Sequence, residues 1–156
     1  MNKTILTDKD FELWVLIHQT RDAIFKLREN ELRQHGITTM EAGVLFLIHL
    51  IGYKTTPAEI SRWIFREPHT VSVLLNRMEK KGLIKKTKNL DRRNLVRISL
   101  TEKGKQAYNN TLKRESIRNT IATLSEEERQ QLYSYMQKLR DKALNDIRAG
   151  YRLPFP

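Results

Sequence analysis

The hydrophobic period of this chain changes at Gly82, and that change limits what its middle can fold into. Upstream, Val71, Leu74, Leu75 and Met78 fall at i, i+3, i+4 and i+7, the spacing of one helix face. Downstream, Val96, Ile98 and Leu100 alternate with Arg97 and Ser99, the period of a half-buried strand. Two more helices are signalled earlier. Thr38-x-x-Glu41 is a capping box opening an apolar run through Val44, Leu45, Leu47, Ile48 and Ile51, which Gly52 ends. Thr56-Pro57-Ala58-Glu59 is a second box, with proline at the first helical position, opening a short helix through Ile60, Trp63 and Ile64. Arg66-Glu67-Pro68 separates it from the third helix, because the residue before a proline disfavours helical backbone. Leu83–Lys88, a polar tip over 89–94 and Leu95–Leu100 then predict a hairpin. The order is helix, short helix, helix, hairpin.

The flanks predict long helices. From Asp8 to about Gln34 one face carries Phe11, Trp14, Phe25 and Leu32, and another carries Leu13, Ile17, Ile24 and Leu27. Apolar residues on two faces predict a helix sandwiched between others. Thr101 is the expected N-cap of a helix over 101–123. Ser125-Glu-Glu-Glu128 is a further capping box, and the seam Leu132, Met136, Leu139, Ala143 and Ile147 carries a helix to about Arg148. The predicted class is mainly α with a small β-hairpin wing. One subunit divides into dimerisation helices over 8–34 and 106–148, a lobe over 38–105, and a proline-broken tail over 149–156.

Charge locates the working surface. The 156 residues carry 29 Lys/Arg against 18 Asp/Glu, a net of +11. Residues 61–105 hold 13 of the former and 4 of the latter, so +9 lies in this stretch and +2 in all the rest. Such a cluster favours a polyanionic partner. Cysteine is absent, which excludes disulfides, thiolate metal sites and thiol redox sensing. The four histidines form no i, i+4 pair, so no metal and no cofactor is expected. No phosphate loop, G-x-S-x-G or H-E-x-x-H is present, and no enzymatic activity is expected. The apolar run Val44–Ile48 is cut by His49 after five residues, and the first ten residues lack an apolar signal core. These features predict a cytoplasmic chain with no membrane partner.

Helices joined by a tight turn and followed by a hairpin make a winged helix-turn-helix. With Val71, Leu74, Leu75 and Met78 in the core, the third helix shows His69, Thr70, Ser72, Val73, Asn76, Arg77 and Lys80 on its other side. Asn suits adenine, Arg suits guanine and Val73 suits a thymine methyl in the major groove of double-stranded DNA. Lys80 and Lys81 suit phosphates, and Lys88, Arg92 and Arg93 make the hairpin tip basic. A merely solvated basic face is the weaker reading, given the charge cluster and the hairpin beside it.

The run over 69–106 resembles the multiple-antibiotic-resistance regulator (MarR) family of transcription factors. The resemblance rests on LLNRMEKKGLI (74–84), the Asp-x-Arg tip at Asp91 and Arg93, and Leu-Thr-Glu-Lys-Gly (100–104), in that order and spacing. Ser61 stands where a small apolar residue is more usual, and Trp63 and Phe65 are bulky. The resemblance implies a homodimer whose terminal helices interlock and whose two lobes reach successive major grooves of a pseudo-palindromic operator, most often as a repressor. It places Ser72, Val73, Asn76 and Arg77 on bases, Arg93 in the minor groove, and Asp91 as the residue orienting that wing arginine.

The resemblance also implies a small, anionic, aromatic effector. Trp14, His18, Arg21 and Phe25 share one face of the first helix, and His49 lies in the helix expected to face them. One reading is an effector pocket with Arg21 on a carboxylate. Ahead of it stands the simpler reading, in which His18 and Arg21 make hydrogen bonds or ion pairs at a dimer interface. The rival function class is a basic protein-interaction or RNA-binding module, but the hairpin strands lack the aromatic stacking surface that single-stranded RNA favours.

Overall fold

The computed structural model describes residues 8–88, 92 and 95–147. Helix α1 (Lys9–Arg33) starts at Asp8, whose carboxylate accepts the N–H groups of Asp10 and Phe11. Helix α2 (Thr39–Ile51) opens on a complete capping box. The Thr38 hydroxyl accepts Glu41 N–H at 3.1 Å, and the Glu41 carboxylate accepts Thr38 N–H at 3.0 Å. A 3₁₀ turn (Gly52–Lys54) leads to α3 (Pro57–Ile64) and α4 (Pro68–Lys80). Strands β1 (Ile84–Lys88) and β2 (Val96–Leu100) pair antiparallel, with Ile84 opposite Leu100 and Lys88 opposite Val96. Helices α5 (Glu102–Thr111), α6 (Glu115–Ile121) and α7 (Glu126–Ile147) complete the chain.

The sheet alternation and the helix stripes meet in one core. Val44, Leu45 and Ile48 of α2, Ile60 of α3, Val71, Leu75 and Met78 of α4, and Ile84 and Ile98 of the hairpin are all buried. Each such side chain contributes roughly 1.5–3 kcal/mol by leaving water. Gly82 closes α4 at φ +74°, a left-handed conformation that a β-carbon would strain. Gly104 serves a different need: a Cβ there would lie 1.9 Å from the Leu83 carbonyl oxygen. The glycine of the Leu-Thr-Glu-Lys-Gly signature thus lets α5 seat directly on the start of β1. Ile98 N–H donates to the Thr55 carbonyl at 2.9 Å, which hooks the hairpin to the segment ahead of α3.

The helix expected over 101–123 is two helices. The chain breaks at Arg114, which takes φ +51°. The cause lies on α1. Arg28, 8% exposed, donates to the Thr111 carbonyl at 2.6 Å and to Glu31 at 2.6 Å. Glu31 in turn accepts Glu115 N–H at 2.8 Å and the Ser116 hydroxyl, capping α6 at the place where Arg28 has tied down the end of α5. Burial alone would raise the Glu31 carboxyl, but hydrogen bonds from Ser116 and Arg28, the Glu115 amide and the Arg28 charge outweigh it and hold it at about 2.

The terminal helices are only partly covered. None of the residues of α7 is buried, although the Ser125 capping box forms and the seam residues Leu132, Met136, Leu139 and Ile147 share one helix. On α1, Phe11, Leu13, Trp14 and Leu16 are exposed, while Leu32 reaches the core. The sandwiching read from the two apolar faces of α1 is met within this chain only toward its C-terminal end.

Candidate nucleic-acid interface

Helix α4 is presented by a turn built from its predecessor. Phe65 adopts φ +53° to end α3, and Ser61 holds the turn by donating its hydroxyl to the Arg66 carbonyl and accepting Arg66 N–H on its own carbonyl. A small apolar residue at position 61 could not make the first of these bonds, so the hydroxyl there is structural. Pro68 then starts α4, where its missing N–H costs nothing.

The two faces of α4 separate as the periodicity requires. Val71, Leu74, Leu75 and Met78 are buried, and His69, Thr70, Ser72, Val73, Asn76, Arg77 and Lys80 are exposed. Two of the outward residues are held from behind. The Arg77 Nε donates to Glu41 Oε1 at 3.1 Å, although the arginine side chain is 53% exposed and the carboxylate is wholly buried. Asn76 Oδ1 accepts the ammonium of Lys86 on β1, which also pairs with Glu79 at 3.4 Å. Lys86 N–H donates to Glu79 at 3.2 Å, so the wing strand is stitched to the helix it flanks.

Lys81 does not lie on this face with Lys80. Its ammonium turns back to Glu41 Oε2 at 2.9 Å and to the Gly36 carbonyl at 3.1 Å, drawn by a buried carboxylate that needs neutralising. Glu41 and Lys86 are therefore the residues that sequence reasoning missed. Glu41 was legible only as a capping residue, and Lys86 only as one charge among many in the basic run.

Of the wing, Lys88 is exposed at the end of β1, and Arg92 is exposed with its carbonyl accepting Leu95 N–H. Asp91 and Arg93, like the tail over 149–156, lie outside the described residues. Arg97, opposite Thr87 near the tip end of the hairpin, braces the strands by donating to the Lys54 carbonyl at 2.7 Å.

The α1 stripe is assembled as the spacing predicts. Trp14 stacks on Phe11 and meets the His18 ring edge-on at 5.0 Å, and the Arg21 guanidinium sits 4.6 Å over Phe25. Arg21 also donates to Asp22 at 2.7 Å, a bond that lowers the Asp22 carboxyl below its usual range. The ring contact of His49 is with Tyr108 of α5, at 4.4 Å, rather than with this stripe. Among the described residues, no cluster of three or more His, Cys, Asp or Glu is placed to hold a metal ion, and no helix is long and apolar enough to cross a membrane.

The MarR family model matches residues 35–97, from the approach to α2 through the first half of β2. The organohalide-sensing transcriptional regulator RdhR, in its 2,4-dichlorophenol-bound form, is 32% identical, with a TM-score of 0.91 over 100% of this chain and 95% of its own. A mutant MarR from E. coli complexed with operator DNA is 20% identical, with a TM-score of 0.79 over 86% of this chain and 97% of its own. The S. aureus MepR–DNA complex is 22% identical, with a TM-score of 0.75 over 82% and 96%. These last two share the fold. No curated protein matches the chain. With the family model on the helix-turn-helix and wing, and a 32% identical regulator aligned along its whole length, the chain belongs to the MarR family of transcription regulators.

Proposed function

We propose that the protein is a sequence-specific, double-stranded-DNA-binding regulator that acts as a homodimer on a pseudo-palindromic operator, in the repressing mode. The observation that carries this reading is α4: four core side chains bury one face, and the opposite face offers Thr70, Ser72, Val73, Asn76 and Arg77 beside a basic hairpin. Such a helix fits the major groove, with Lys80, Lys88 and Arg92 suited to flanking phosphates. Arg93 is assigned to the minor groove and Asp91 to orienting it, because an arginine at a hairpin tip suits the negative potential of a narrow A·T-rich groove. The uncovered α7 and the exposed N-terminal half of α1 support dimerisation, since a second copy would bury both apolar seams.

The 2,4-dichlorophenol bound to RdhR supports a small aromatic effector for this chain too. We assign it to the Trp14–Phe25 stripe, where an anionic group would have to draw Arg21 away from Asp22. The test is selection from a random-sequence duplex library. The protein should enrich a two-fold-symmetric motif with half-sites ~10 base pairs apart. Asn76→Ala should cost ~1–3 kcal/mol on that motif and little on random duplex, whereas Lys80→Ala should weaken both and lower the salt slope by about one. Equal affinity for the motif and random duplex, or preference for single-stranded RNA, would overturn the reading.

A further inference from the structure

Resting on the DNA-binding reading, we propose that Glu41 and Lys86 are positioning residues that set which N–H groups Arg77 presents and turn Asn76 toward donating, so that this part of each half-site is read as a row of acceptors. Glu41 sits on α2, away from the reading face, and is wholly buried. It faces three donors: Arg77 Nε, Lys81 Nζ and its own cap partner Thr38 N–H. A guanidinium can present a fork in two ways, end-on through both Nη groups or side-on through Nε and one Nη. With Nε committed inward, Arg77 retains the end-on fork, whose spacing suits O6 and N7 of guanine.

Asn76 is restricted by the same logic from the other side. Pairing with adenine requires the amide to accept from N6 and donate to N7. Its Oδ1 accepts from Lys86 on β1, itself held by Glu79, which draws the oxygen to the β1 side and favours the amide N–H₂ as the group that reads a base. On this proposal, the adenine pairing suggested by the residue type gives way to a contact made through the amide N–H₂. An amide donor suits purine N7 or thymine O4 instead. The neighbouring readers then make a consistent pair, both donating.

Lys81 makes the role of Glu41 separable from its part in stability. Removing Arg77 leaves the buried carboxylate still paired with Lys81, so an Arg77 variant does not strand a charge. Glu41→Gln keeps one acceptor oxygen for the Thr38 cap but turns an amide N–H₂ toward cationic donors, which releases Arg77.

The test combines selection with a double-mutant cycle on the selected duplex. The wild type should enrich guanine at the position whose contact is lost in Arg77→Ala. Glu41→Gln should lower affinity for that duplex about tenfold, within the range of one bidentate base contact, and leave random-duplex affinity nearly unchanged. In the Arg77→Ala background the same change should have less than about a twofold effect, because the partner it acts through is gone. Equal losses in both backgrounds would mark Glu41 as structural and overturn the proposal while leaving the regulator reading intact. A wild type that enriches no motif would instead sink the regulator reading and this inference with it. If Glu41→Gln fails to fold, Lys86→Met on the hairpin gives the second readout. It should admit adenine at the position read by Asn76, and an unchanged base preference there would overturn the proposal.

Discussion

Replacing Glu31 by glutamine removes the charge that joins α1 to the break between α5 and α6. The carboxylate accepts from Arg28 at 2.6 Å, from Glu115 N–H at 2.8 Å and from the Ser116 hydroxyl. Its carboxyl lies at about 2 in the fold against an ordinary 4.5. At about 1.4 kcal/mol per pH unit, that difference makes the charged form worth ~3 kcal/mol to the folded state. The side chain is 17% exposed, so solvent screening removes little of it. Because the folded value lies below the unfolded one, the contribution is complete above pH ~5 and lost as the pH falls toward 2. By pH 3 roughly three-fifths of it is gone. Glu31→Gln should therefore cost ~2–3 kcal/mol at pH 7 and ~1 kcal/mol at pH 3. Urea unfolding of both proteins at one fixed chain concentration measures this, the fixed concentration being needed because the stability of the proposed dimer would depend on it. Other carboxylates titrate in both proteins and cancel in the difference. A loss of equal size at the two pH values would refute the ion-pair account.

Two further outcomes follow from the packing. Gly104→Ala would gain helix propensity at an open helical site, but here the added Cβ meets the Leu83 carbonyl at 1.9 Å. It should lower stability by ~1–3 kcal/mol in a thermal melt, and an unchanged or raised melting temperature would contradict the close approach of α5 to β1. Light scattering should find the wild type at twice 18.5 kDa, and Leu139→Asp should yield monomer or aggregate. A monodisperse wild-type monomer would remove the dimer from the proposal.

How far the site could be read from residues alone depended on the reach of the interactions. The exposed face of α4 was legible because helical geometry fixes which of Val71–Lys80 share a side once the core residues are named. The chemistry of that face was not. Asn76 and Arg77 looked like independent readers, yet their partners stand 10 and 36 residues away, at Lys86 and Glu41. Lys80 and Lys81 looked alike, and only the buried carboxylate beneath them separates an outward cation from an inward one.

The same division runs through the fold. Capping boxes at Thr38 and Ser125, the proline start of α4, the glycine stop at Gly82 and the alternation of β2 are short-range events, each decided within about four residues, and the sequence alone determined them. Where 101–123 would break follows Arg28 and Glu31, more than eighty residues upstream, because Arg28 binds the last carbonyl of α5 and Glu31 accepts the first N–H of α6. A local pattern records what a segment can become. Which buried polar groups must find partners is set by tertiary packing, since the cost of leaving them unpaired arises only after the core has excluded water.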